Sequence, residues 1–108
     1  MTTFDERKNA FESKFALDQD LKFKAESRRN KMIAEWAAEK LGLTGTATED
    51  YVKAVRKADL AEKGDDDVFR KIRGDLDAKS ISVTDTEIRD AMLRFLEAAV
   101  TQIQGESK

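Results

Sequence analysis

The side chains best suited to moving protons or holding soft metals at neutral pH are missing from this sequence, whose 108 residues include no His and no Cys. Zinc sites with imidazole or thiolate ligands, thiol nucleophiles, disulfides and histidine general bases therefore lie outside its chemistry. Ser, Thr and Lys remain as conceivable nucleophiles, but none has an evident base and orienting group beside it. The five glycines are isolated and form no phosphate-binding loop. The chain reads as a non-enzyme with no cofactor.

Three other constellations could bind something. Asp65, Asp66 and Asp67 form the densest acidic run. Oxygen ligands of this kind suit a hard cation, but the run lacks the alternating spacing of a calcium loop and stands where a helix should begin. There, carboxylates favour the positive end of the helix dipole, so no metal is expected. Between Leu21 and Lys31, five cations (Lys22, Lys24, Arg28, Arg29 and Lys31) face one acidic residue, Glu26, for a local balance of +4. Such a run is either a solvated helix face or a surface for an acidic partner or a phosphate. Nucleic acid is not expected, because the whole chain carries a net charge of −2 and no helix-turn-helix pattern accompanies the run. Lastly, Phe4, Phe11 and Phe15 fall within an arc of about 40° around a helix of about 100° per residue. That narrow aromatic stripe either packs on the rest of the chain or enters a partner's groove.

The elements that must position these groups are helices. Proline is absent, and Thr3 with Glu6, Thr46 with Glu49, and Thr84 with Glu87 each match a capping box at a helix start. A first amphipathic helix is expected from about Thr3 to Leu17. A second should run from about Leu21 to Leu41, with Leu21, Ala25, Met32 and Trp36 on one side, Ile33 and Ala37 widening it, and Gly42 with Leu43 as its C-cap. The two apolar faces differ by roughly 80°, so a bend or break is expected between Leu17 and Asp20. A third helix should span Thr48 to Lys63 (Tyr51, Val52, Val55 and Ala58) and stop at Gly64. The fourth starts at the aspartates and carries Val68, Phe69, Ile72 and Leu76, weakened by Gly74. After the Ser80–Val83 link, a last helix from Asp85 to Gln104 carries Ile88, Met92, Phe95, Leu96, Ala99 and Ile103. Helices two to five can close a bundle around Trp36, Phe69 and Phe95 without the first.

The fold class is thus all-α, a four-helix bundle (residues 21–108) preceded by a short amphipathic N-terminal arm (residues 1–20). Charged residues at 39% and apolar ones at 40% lie far from the disordered regime. No basic region followed by an apolar run opens the chain, and no stretch of about 18 apolar residues occurs, so neither a secretion signal nor membrane insertion is expected.

The stretch from Met1 to Gly42, and the later one from Gly64 to Leu76, resemble the zeta inhibitor subunit of the F-type ATP synthase of α-proteobacteria. The likeness is carried by Phe4 and Phe15, by Phe23-Lys24-Ala25-Glu26, by Arg28-Arg29 before Asn30, and by Glu35-Trp36-Ala37-Ala38. Gly64 through Phe69-Arg70-Lys71 forms a second island. The resemblance implies a bundle whose N-terminal segment, about Thr2 to Gln19, enters the catalytic head where the α, β and γ subunits meet and blocks rotation during ATP hydrolysis. Carried over, Phe4, Arg7, Lys8, Phe11, Lys14 and Phe15 would contact the head from the arm, and Lys22, Lys24, Arg28 and Arg29 from the basic run. The arm is expected to be partly disordered when free, and the protein to be cytoplasmic, held at the inner membrane through the synthase. The competing reading is a helical adaptor whose basic second helix binds an acidic protein surface or, weakly, a nucleotide.

Overall fold

Where the expected starts and stops fall, the backbone makes them by recognisable local bonding. The computed structural model describes residues 19–59 and 66–106. Four helices occupy them: α1 (Gln19–Leu41), α2 (Thr46–Asp59), α3 (Asp66–Ala78) and α4 (Asp85–Glu106), with no strand among the described residues. The expected arm helix, the Thr3–Glu6 box, the end of the α2 reading at Lys63 and the Gly64 stop lie outside the described residues. Of the bend between Leu17 and Asp20, only its far side is described, and there α1 is already helical at Gln19.

α1 ends as expected. Gly42 takes φ 78°; its N–H reaches the Glu39 carbonyl at 3.1 Å and the Leu43 N–H reaches the Ala38 carbonyl at 2.9 Å. These are the two bonds of a Schellman cap. α3 closes with the same pair of bonds but without glycine: Ser80 at φ 56° donates to the Asp77 carbonyl, and Ile81 donates to that of Leu76, both at 2.9 Å. At the start of α4 the Thr84 hydroxyl accepts the Glu87 N–H at 3.1 Å. The Glu87 carboxylate accepts a hydrogen bond from the Thr84 hydroxyl at 3.3 Å instead of folding back to a backbone donor. The Thr46–Glu49 box does not form. α2 begins two residues earlier than Thr48, and the Gly45 carbonyl accepts the N–H groups of Thr48 and Glu49 at 3.1 and 3.2 Å, so Thr46 is already inside the helix.

α1 with α2 and α2 with α3 run antiparallel, as cross-helix pairs establish: Asn30 of α1 with Asp59 at the end of α2, and Tyr51 near the start of α2 with Asp75 near the end of α3. α4 crosses α3 instead, so that Asp66 at the start of α3 meets Arg89 near the start of α4. α1 packs on all three other helices, whereas α2 and α4 do not meet among the described residues. A helix with three neighbours must bury small side chains on the shared face. Accordingly Ala25, Ala34, Ala37 and Ala38 are fully buried with Ile33, while Leu21, Met32 and Trp36, expected on the main stripe, sit half-buried at its flanks. The principal core joins Ile33, Ala34 and Ala37 to Val55, Val68, Ile72, Leu76, Val83, Ile88, Ala91 and Met92. Trp36, Phe69 and Phe95, expected inside it, pack partly buried around its edge. Close helix approach leaves interior room for aliphatic groups, each contributing on the order of 1.5–3 kcal/mol when buried, but not for rings. A second cluster, Ala25 with Leu96, Ala99 and Val100, fastens the N-terminal half of α1 to the C-terminal half of α4.

Candidate functional site

The basic run of α1 divides by angle around the helix. At about 100° per residue, Ser27, Lys31 and Lys24 lie within about 60° of one another and face away from the core. Arg29 turns inward.

Arg29 corrects the sequence reading, which set it among the surface contacts: it is 1% exposed, and its Nε donates to Asn30 Oδ1 at 2.8 Å. Asn30, 2% exposed, donates from Nδ2 to Asp59 Oδ2 at 2.8 Å, so the pair forms a buried polar tie from α1 to the end of α2. Charge at this position is held in the interior, through Nε, and not presented to a partner.

Arg28, about 100° from Arg29 around the helix and about 40° from Lys24, points to the surface. Its two guanidinium nitrogens meet the two Glu106 oxygens at 2.7 and 3.0 Å, and one also reaches Gln102 Oε1 at 3.4 Å. The Glu106 carboxyl is held below the usual carboxylate range, chiefly by this hydrogen bond. The pair is bidentate and solvent-facing, a geometry that fixes orientation more than it adds stability. Lys24 is exposed and pairs with Asp20 at 3.0 Å, and Lys22 is exposed.

Because α2 and α4 stand apart, the outer face of α1 is left open between them. A concavity of about 590 Å³ lies there. Its floor is Lys24, Ser27, Arg28 and Lys31 of α1, with Arg56 of α2 on one wall and Ile103 and Glu106 of α4 on the other. Phe23 stands at its mouth, 71% exposed. The structure thus gathers Lys24 and Arg28 of the expected set in one groove. Lys22 is not among the groove's lining residues, and Arg29 lies in the interior. It adds Lys31, Arg56, Phe23 and Ile103, which the contact set had not included. Phe23 could have been noticed, since it sits on the helix between two lysines. Arg56 could not, because its approach to Lys31 depends on how α2 packs. Phe4, Arg7, Lys8, Phe11, Lys14 and Phe15 lie outside the described residues.

The acidic run also has a settled use at two of its three positions. Asp67 Oδ1 accepts the Val68 N–H at 2.9 Å, and Asp66 Oδ1 accepts from Arg89 at 3.0 Å, joining the start of α3 to α4. The Arg89 guanidinium lies 4.0 Å from the Phe69 ring centre. Among the described residues no helix is long and apolar enough to cross a membrane. No curated protein gives a significant match to the chain. A family model matches over residues 1–102, nearly the whole length, and by that match the chain belongs to the family of ATPase inhibitor subunit zeta.

Proposed function

We propose that this ATPase inhibitor subunit acts on the F-type ATP synthase by lodging its N-terminal amphipathic segment, residues 1–20, in the catalytic head where the α, β and γ subunits meet. Hydrolysis then stops because rotation is blocked. The observation that carries this reading is the completeness of the bundle. The described helices close an aliphatic core from their own residues, with Phe69 and Phe95 at its margin. Three further phenylalanines, Phe4, Phe11 and Phe15, precede the bundle at a spacing that would set them on a single stripe of a helix. A stripe not needed to complete the core is suited to helix-in-groove recognition. In this reading the arm is partly disordered when free and folds as it enters. Ordering then costs several kcal/mol of the gross interaction energy. Arg7, Lys8 and Lys14 flank the stripe, and Lys22, Lys24 and Arg28 add attraction to an acidic surface, which acts mainly on association rate. The protein would regulate without catalysing, working on the cytoplasmic side of the inner membrane through the synthase.

The test is ATP hydrolysis by the purified catalytic head with the full-length protein and with a Phe4→Ala, Phe11→Ala, Phe15→Ala variant. Inhibition by the first and its loss in the second, with thermal unfolding nearly unchanged, is the expected result. Equal inhibition by both would overturn the insertion reading. A helical adaptor holding a nucleotide's phosphates would draw on the same cations of the groove. Two of these already have carboxylate partners, Lys24 with Asp20 and Arg28 with Glu106, which favours the protein partner. Titration with ATP and ADP, followed by amide shifts at Lys31 and Arg56, tests the alternative.

A further inference from the structure

We infer that the groove between α2 and α4 is a second docking surface, separate from the arm, and that it receives an acidic amphipathic helix of the ATPase itself. This rests on the inhibitor reading above and assigns it a further interface. Four observations carry it. The first is topological: α1 has three helical neighbours and α2 and α4 do not meet, so the bundle leaves a channel over the outer face of α1. An added helix could lie along that channel without entering the core. The second is charge. Lys24, Arg28, Lys31 and Arg56 line the groove against one carboxylate, Glu106, which is bonded to Arg28. Among the described residues, Lys31 and Arg56 have no carboxylate partner, in contrast to Lys24 and Arg28, so they are the groove's cations best placed to meet a partner's carboxylates.

The third is the apolar contact waiting there. Phe23, the large hydrophobic residue standing exposed at 71%, faces the groove with Ile103. A single exposed apolar residue is ordinary. One set beside a half-buried isoleucine and rimmed by cations gives an aliphatic side chain a place to anchor between charged contacts. The fourth is position. Phe23 lies four residues beyond Gln19, about 6 Å along α1, so the groove opens where the arm joins the bundle. From Phe23 to Lys31 is eight residues, about 12 Å. The fitting occupant is therefore about two turns of helix, with one or two aliphatic anchors toward Phe23 and Ile103 and carboxylates spaced to reach Lys31 and Arg56.

The two interfaces make separable contributions, and the experiment reads them separately. Binding of the full-length protein to the purified catalytic head is measured by calorimetry or surface plasmon resonance at low and moderate salt. The background is the triple Phe4→Ala, Phe11→Ala, Phe15→Ala chain. This chain should retain weak, salt-sensitive binding. Lys31→Glu with Arg56→Glu on that background should reduce it about tenfold or more, because like charges would then oppose the partner's carboxylates. Phe23→Ala should reduce it severalfold with no change in thermal unfolding. Lys53→Glu with Lys79→Glu, the same charge change at exposed sites away from the groove, should leave it within about twofold. Circular dichroism verifies that each variant is folded. Equal losses from the groove and control pairs, or no binding by the triple variant, would overturn the proposal. Continued inhibition by the triple variant would overturn the arm reading alone and leave the groove standing.

Discussion

Arg28 and Arg29 are neighbours in sequence with opposite surroundings, and exchanging each for a neutral residue separates a packing role from a docking role. Arg29 is 1% exposed and hydrogen-bonded to Asn30, which is itself 2% exposed and bonded to Asp59. Arg29→Ala removes a charged donor from a buried network, leaves Asn30 Oδ1 without it, and opens a cavity the length of the arginine stem. Removing one member of a buried charged network costs about 3–5 kcal/mol. For a domain of this size each kcal/mol moves the thermal midpoint by roughly 4–8 °C. A loss of about 3 kcal/mol therefore lowers the midpoint by roughly 12–24 °C. Arg29→Met keeps the stem volume and should fall by about half as much. Arg28→Ala, which breaks a solvent-facing pair with Glu106, should leave the midpoint nearly unchanged. The assay is thermal unfolding by circular dichroism, run alongside inhibition of ATP hydrolysis at a temperature where every variant is folded. If Arg29→Ala unfolds with the wild-type midpoint yet loses inhibition, Arg29 is a partner contact after all and its interior placement fails.

Three further substitutions or titrations probe the local physics. Gly74 lies exposed inside α3, and a Cβ there would meet nothing within 4 Å. Gly74→Ala should therefore stabilise the protein by about 1 kcal/mol through helix propensity alone, read as a raised thermal midpoint. Ser80 holds φ 56° in a cap geometry that favours glycine, so Ser80→Gly should stabilise by about 0.5–1 kcal/mol in urea unfolding, with an unchanged m-value. Tyr51, the single tyrosine, has its ionisation pushed up, first by burial and then by the hydrogen bond its hydroxyl donates to Asp75 at 2.8 Å. The folded protein keeps the phenol protonated where an unfolded chain would ionise it. Stability is thus complete below the ordinary value of 10.0 and declines as pH rises past it. Phenolate absorbance should appear together with unfolding, and a separate titration near the ordinary value would contradict the burial.

What was legible in the sequence follows from what periodicity and caps can encode. Gly42 with Leu43 closes α1, Thr84 with Glu87 opens α4, and Ile88, Met92, Leu96 and Ala99 mark the buried face of α4, because each signal is local and carried by a residue type with few alternative uses. The α3–α4 turn was harder to read. Ser80 performs at the end of α3 the task that glycine performs at Gly42, and nothing in a serine announces a left-handed backbone. Gly45 takes the α2 cap from Thr46 because the carbonyl it presents is already in place. The centre of the α1 face was misplaced for a different reason. Alanine is a weak hydrophobic signal and Met32 and Trp36 strong ones, yet a helix touching three others must put its small residues at the closest approach. Arg29 was read as surface because arginine almost always is; only the packed structure reveals the Asn30–Asp59 tie that lets it be buried. The groove is a product of two helices failing to touch, which no local pattern records.

These placements bear on how the inhibitor could be regulated. α1 is continuous from Gln19 to Leu41, so in the proposed reading the first turns of α1 are the junction between the inhibitory segment and the core. They are held to α4 by the contact of Ala25 with Leu96, Ala99 and Val100, and by the Arg28–Glu106 bond near the end of α4. Any stiffness of this junction depends on that pair of helices. The pair contains no histidine, and the Glu106 carboxyl is depressed by its hydrogen bond to Arg28. A depressed carboxyl contributes its stabilisation fully above the ordinary value of 4.5 and loses it only as pH falls through the lowered one. Across the range from about pH 5 to pH 8, where histidine switches operate, the Arg28–Glu106 bond therefore stays intact. Mild acidification would therefore leave this bond as it is. The remaining electrostatic control is ionic strength, which screens the solvent-facing groove within about 10 Å at 0.1 M salt and spares the buried Arg29–Asn30–Asp59 tie. Salt should accordingly weaken attachment to the ATPase long before it loosens the bundle.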